Sequence, residues 1–297
     1  MISEVIDQNP TARNALRNVG SNRPPPPAPN DVAEKLIARN YLSWSSVSTF
    51  LRCPKRFKLQ YIDRVEPGFV SSNLVFGSAI HAAIESIYRA LFVGATPPDH
   101  NELMSTYDAA WKQEQKPIRF GRNETAETLR DLAGRMLDAY GAHRETLPDG
   151  ELVGVEEELR GAIVQDAPDI LGRIDLIVRT HDAIRIVDFK TSKSSWSASK
   201  IEEAAPQMLL YSELVKPIAG SYGLPVEISW VVLTKHKQPR IEVHHLTPNP
   251  DRVVSTKAMV AEVWRAIQQR FQYPIASTMN CSTCPYRNLC SAWEGTT

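Results

Sequence analysis

The spacing of apolar positions changes period along this chain. Around residues 45–61, 75–93, 101–114 and 124–145 apolar side chains recur every three to four positions, which predicts helices with one buried face. The pattern then shortens to β-branched runs near 152–164, 171–179 and 184–190, predicting strands. A helix at about 199–219, strands near 227–235 and 240–246, and a helix over 250–271 complete the reading. Helices gather first and strands gather centrally, so the fold class is α/β with a largely helical N-terminal half.

One strand carries an anomaly. Residues 184–191 read IRIVDFKT, an apolar run that holds Asp188 and Lys190 two positions apart. Alternation sends these two to one face and Val187 with Phe189 to the other. Taken alone, such a pair reads as a solvated sheet edge. The preceding run, LGRIDLIVRT at 171–180, changes that, because His181 and Asp182 fall between the two runs like a two-residue hairpin turn. This register sets Asp175 opposite Asp188. Facing like charges cost roughly 0.2–1 kcal/mol unless neutralised. A hard divalent cation neutralises them, and Mg²⁺ on one or two carboxylates keeps sites for a phosphate oxygen and a nucleophilic water. Lys190, on the same face, would orient that water or offset charge on the phosphate.

Composition places the chain among ordinary globular proteins, with 42% hydrophobic and 23% charged residues. The start lacks an apolar signal-like stretch and no run is long enough to cross a bilayer, so a cytoplasmic protein with no membrane partner is expected. NRPPPPAPND at 22–31 reads as a polyproline linker. Residues 1–32 are accordingly expected to be a flexible tail and linker, with one domain over 33–297. Equal numbers of basic and acidic residues, 34 each, argue against indiscriminate coating of nucleic acid and leave room for a local basic groove. Local clusters include Lys55, Arg56 and Lys58, then Lys193 and Lys200, then Lys235, Lys237 and Arg240. Taken singly, each reads as a solvated helix face or loop tip.

The four cysteines are Cys53, Cys281, Cys284 and Cys290, the last three within CSTCPYRNLC. In a reducing compartment, ligation of a metal or cluster is the better reading than two disulfides. Zinc and an iron–sulfur cluster both accept four thiolates, and spacing does not separate them. A site using all four would tie the start of the domain to its end across a long loop.

An ordered set of motifs now resembles a known family. LSWSSVSTFLRCPKRFKLQY with Cys53, FGSAIHAAIE with His81, GRIDLIV with Asp175, IVDFKT with Asp188 and Lys190, QMLLY with Gln207 and Tyr211, and the terminal CSTCPYRNLC span residues 42–290. The set is similar to the RecB-like branch of the PD-(D/E)XK nucleases that carries an iron–sulfur staple, which includes the AddB nuclease domain and CRISPR-associated RecB-like exonucleases. The resemblance implies a restriction-endonuclease-like central mixed sheet flanked by helices. It implies a 4Fe-4S cluster on Cys53, Cys281, Cys284 and Cys290 rather than zinc. It further implies a Mg²⁺ or Mn²⁺ site built from His81, Asp175, Asp188 and the backbone carbonyl of Phe189. Lys190 would join Asp175 and Asp188 in catalysis, and Gln207 and Tyr211 would contact the nucleic acid. Glu85, which shares a helix face with His81, and Glu157 and Glu158 of VEEEL are further acidic candidates.

The expected function is a metal-dependent DNA exonuclease acting on single-stranded ends in repair, recombination or end processing. No G-x-x-x-x-G-K-S/T stretch occurs, so unwinding would come from a helicase or recombination partner. The rival is a catalytically idle DNA-binding subunit of a recombination or CRISPR spacer-acquisition complex. Intact Asp175, Asp188 and Lys190 speak against the rival, because an idle site gains nothing from a costly charge cluster.

Overall fold

A computed structural model describes residues 41–143 and 150–290. The expected tail and linker at 1–32, and the expected domain start at 33, lie outside the described residues.

The helices come first, as the periodicity predicts. After β1 (Tyr41–Ser43) come α1 (Trp44–Arg52) and α2 (Pro54–Phe57), which runs into a π-helical turn at Lys58–Ile62. A two-residue strand, β2 (Val70–Ser71), leads into α3 (Ser72–Phe92), α4 (His100–Lys112), the short β3 (Ile118–Arg119) and α5 (Ala126–His143). The expected continuous helix over 45–61 is broken at Cys53, which is extended at φ −166° and ψ 106°. Pro54 is the cause, since its ring disfavours the helical region for the residue before it while suiting the first position of the next helix.

The central strands are β4 (Glu151–Gly161), β5 (Asp169–Arg179) and β6 (Ile184–Ser192), followed by α6 (Ala198–Tyr222), β7 (Val226–Thr234), β8 (Ile241–Leu246) and α7 (Pro250–Gln268). The hairpin joining β5 to β6 turns at His181 and Asp182 as expected. The Thr180 amide donates to the Ala183 carbonyl at 2.9 Å, and the Ala183 amide donates to the Thr180 hydroxyl at 3.0 Å. Pairing runs from Arg179 against Ile184 to Leu176 against Val187. The ladder ends there, one step short of the expected Asp175–Asp188 pair.

Six strands make one mixed sheet in which β6 is internal, antiparallel to β5 and parallel to β7. One edge of β5 pairs with β4 along its length, while the other is shared between β1 at Asp169–Leu171 and β6 at Leu176–Arg179. Helices cover both faces. One core packs Leu42, Phe57, Ile186, Met208, Trp230 and Trp264, and the other packs Phe76, Ile84, Tyr107, Met136, Val187 and Phe189. The solvated-edge alternative for IRIVDFKT is therefore excluded, and so is a simple charged face opposite a greasy one. Ile184 and Ile186 share a parity with Asp188 and are buried, and Asp188 itself is only 4% exposed.

The sheet and α6 meet closely at Gly172. A Cβ there would lie 2.7 Å from a ring carbon of Tyr211 and 2.9 Å from a methyl of Leu214. Both are core side chains with little room to retreat. Gly172→Ala should therefore destabilise the protein by about 1–3 kcal/mol through overpacking. A urea midpoint unchanged from the parent would show that α6 yields freely.

Candidate active site

Where β5 and β6 stop pairing, a backbone donor is redirected. The Phe189 amide donates to Oδ2 of Asp175 at 2.7 Å. The alternation of β5 also slips here. Ile174 and Ile177 pack in one core, while Leu176 and Val178 pack in the other, so Asp175 sits at the slip. On the adjacent strand Glu156 adopts φ 52°, a left-handed conformation that costs a non-glycine residue on the order of 1 kcal/mol or more.

These two irregularities meet α3. Ligand atoms of His81, Glu156 and Asp175 lie within 4.8 Å of one another, and Nδ1 of His81 is 3.5 Å from Oδ2 of Asp175. The Phe189 ring stands edge-on to the imidazole, with centroids 6.3 Å apart at 90°. The Lys190 ammonium lies 2.7 and 2.6 Å from the two carboxylate oxygens of Asp188. Gln207 and Tyr211, one turn apart on α6, bond to each other at 3.2 Å. The structure thus brings His81, Asp175 and Phe189 together, sets Asp188 with Lys190 beside them, and brings Tyr211 near enough to feel their charges.

The acidic candidates on β4 need correction. Glu157 and Glu158 pair with Ile174 and Arg173 in the ladder and stand outside the cluster, whereas Glu156 joins it. Glu156 is also 3.2 Å from the Arg173 guanidinium. Nothing in VEEEL distinguishes three consecutive glutamates, because a single left-handed residue decides which one faces α3. Glu85 remains nearby, paired with Arg89, and its charge is felt by Glu156 and Asp175.

Electrostatics follow from crowding charge where little water reaches. Asp175 keeps 12% of its side-chain exposure. Burial first and the Asp188 charge second push its carboxyl up to about 7, against the pull of Lys190. Burial, Asp175 and Glu85 likewise raise Glu156. Burial and then the Lys190 charge lower His81, which keeps its imidazole neutral, with a backbone hydrogen bond to Phe189 among the smaller opposing effects. Burial alone would lower Lys190, but Asp188 and Asp175 prevail and raise it. A neutral imidazole and carboxyls with raised pKa form a donor set suited to a divalent cation of oxygen and imidazole preference, with the Lys190 ammonium held alongside by Asp188.

All four cysteines line one cavity, together with Arg52, Lys55 and Arg56. None is in a disulfide. The break at Pro54 turns Cys53 toward the C-terminal segment, where its sulfur accepts from the Ile275 amide at 3.5 Å. The Asn280 side-chain amide donates to the Arg52 carbonyl at 3.2 Å, and the Lys55 amide to the Tyr273 carbonyl at 3.1 Å. Four thiols beside cationic side chains, Arg287 among them, and a backbone donor are compatible with an anionic tetrathiolate group.

A family model described as the PD-(D/E)XK nuclease superfamily matches residues 41–291. Among solved structures, the fold is similar to that of a candidate exonuclease from Eubacterium rectale, at 13% identity and TM-score 0.53 over 94% of each chain. SSO0001 aligns at 16% identity and TM-score 0.36, covering 83% of this chain and 96% of its own. No curated protein matches the sequence.

An acid whose folded pKa exceeds its unfolded value binds its proton more tightly when folded. The metal-free protein therefore loses stability as pH rises from about 4, the unfolded value, through about 7 for Asp175. Asp175→Asn removes this loss. Without metal, the variant should exceed the parent in stability at pH 8 by at least about 1.4 kcal/mol, the worth of one pKa unit, with the gap closing below pH 5. Urea unfolding at the two pH values checks this, and an equal gap at both would remove the assignment.

Proposed function

Since this chain belongs to the PD-(D/E)XK nuclease superfamily, we propose that it is a metal-dependent DNA exonuclease that trims single-stranded ends. The observation that carries the reading is the convergence of His81, Glu156 and Asp175 within 4.8 Å beside the Asp188–Lys190 pair. His81, Asp175, Asp188 and the Phe189 carbonyl would hold Mg²⁺ or Mn²⁺, with Glu156 as a further donor. When bound, the ion supplies Lewis acidity at the scissile phosphate and acidifies a water ligand. His81 enters as a neutral ligand, and Asp175 releases its proton on binding, so affinity falls as pH drops below about 7. Lys190, kept cationic by Asp188, stabilises charge on the phosphate and positions the attacking water. The Tyr211 ring is packed in the core, so Tyr211 and Gln207 would steady the strand by hydrogen bonding through the hydroxyl and the amide.

The cysteine site we assign to a 4Fe-4S cluster. The donors fit: four reduced thiols on one cavity, cationic neighbours and an amide aimed at a ligating sulfur. Its role is structural, fastening the α1–α2 junction to the C-terminal segment. A helicase or recombination partner would supply the unwinding that this chain lacks the motif for. Among the described residues no helix is long and apolar enough to cross a membrane.

Linear single-stranded DNA should be degraded in Mg²⁺ or Mn²⁺, while closed circles of the same sequence should survive. Asp188→Ala and Lys190→Ala should each abolish cleavage with the fold retained. Equal cleavage of circles and lines would make the enzyme an endonuclease, and a parental rate in Asp188→Ala would sink the site assignment. Protein purified without air should carry about four iron and four sulfide per chain. Stoichiometric zinc without iron would overturn the cluster.

A further inference from the structure

The far ends of β6 and β7 hold a second cationic group. The Lys235 amide donates to the Ser192 carbonyl at 2.6 Å, so Lys235 emerges where β6 runs out. Its ammonium lies 4.2 Å from the centroid of the Phe76 ring and donates to Oδ1 of Asn73 at 3.0 Å. Phe76 and Asn73 belong to the first turns of α3, the helix that carries His81.

Asn73, Gly77 and His81 fall four residues apart and so lie along one stripe of α3. The middle position faces the end of β6, since a Cβ on Gly77 would be 3.6 Å from the Thr191 hydroxyl. A track therefore runs from the His81–Asp175 cluster past Thr191 to Lys235. Eight residues at about 1.5 Å each make it about 12 Å long.

Among the described residues no carboxylate forms an ion pair with Lys235. Glu124 accepts from the Ser72 hydroxyl at 2.7 Å and the Gly121 amide at 2.9 Å, and it faces Lys193 at 3.6 Å. Lys235 instead donates to a neutral amide oxygen. Burial holds its ammonium down to about 8, with Glu124 opposing and Lys193 adding repulsion. A half-desolvated cation on an aromatic floor regains lost solvation when an anionic oxygen arrives.

We propose that Lys235, seated on Phe76 and Asn73, binds a backbone phosphate of the substrate strand some distance from the one being cut, with Lys193 as an outer contact. The track corresponds to about two to four linkages, since strand phosphates are about 3.4 Å apart along a helix and more when stretched. The inference rests on the nuclease reading and adds to it where the uncut part of the strand is held.

The test is binding of single-stranded oligonucleotides across a salt series with divalent metal withheld, so that no turnover intrudes. Lys235→Met keeps the aliphatic stem and should lower the slope of log affinity against log salt by about 0.7, the value for one phosphate contact on a single strand. Lys235→Arg should restore the slope, which distinguishes lost charge from lost fold. Oligonucleotides with one uncharged methylphosphonate linkage, moved stepwise, should show one sensitive position in the parent that disappears in Lys235→Met. An unchanged slope together with an unchanged linkage profile in Lys235→Met overturns the proposal. A parent that shows the sensitive position but cuts no strand in Mg²⁺ or Mn²⁺ supports the phosphate site while removing the nuclease reading.

Discussion

The hydrogen bond from the Phe189 amide to the Asp175 carboxylate organises the centre of this molecule. A buried amide at the end of a ladder must find an acceptor or cost about 1–3 kcal/mol. Here the acceptor is a side chain rather than the next backbone carbonyl, which lets β5 and β6 part where charged groups must gather. The same amide orients the carboxylate toward His81. Because the Phe189 ring packs in the core beneath α3, the geometry is anchored by hydrophobic burial rather than by the charges themselves.

That anchoring matters because the charged cluster opposes folding. Burial and mutual repulsion raise the carboxyls of Asp175 and Glu156, while Lys190 pairs with Asp188 and Arg173 pairs with Glu156. Two packed cores, one on each face of the sheet, supply the apolar burial that tolerates such a cluster. The left-handed Glu156 belongs to the same balance. Backbone strain persists only where the surroundings over-determine it, and the flanking pairs of Val155 with Leu176 and Glu157 with Ile174 do so.

Helix α3 links the candidate metal site to the Lys235 region. Its middle presents His81 to the carboxylates, and its first turns present Phe76 and Asn73 to Lys235. One rigid element therefore sets the spacing between the candidate metal site and the proposed phosphate site, and that spacing cannot drift with loop motion. The cysteine-lined cavity lies at the junction of α1 and α2 with the C-terminal segment, where backbone hydrogen bonds already join segments more than two hundred residues apart.

Much of this was legible along the chain. Period-three-to-four and period-two patterning located the long helices and central strands, because those periods follow from backbone geometry alone. The two-residue turn at His181 and Asp182 set the register that pairs Arg179 with Ile184 through Leu176 with Val187, since hairpin length and register are linked. Pro54 is plain in the sequence too, but the apolar period runs through it, and the break shows only in the extended backbone of Cys53. Other features depended on contacts between distant segments. Whether IRIVDFKT lay at an edge or in the centre was decided by β7 and the helices on both faces. Which glutamate of VEEEL joined His81 was decided by one left-handed residue, a conformation that no local pattern demanded. Lys235 looked like a solvated loop tip until α3 placed an aromatic ring and an amide oxygen against its ammonium. Local propensity determines elements and their periods, whereas burial, charge proximity and side-chain partners are properties of the packed chain.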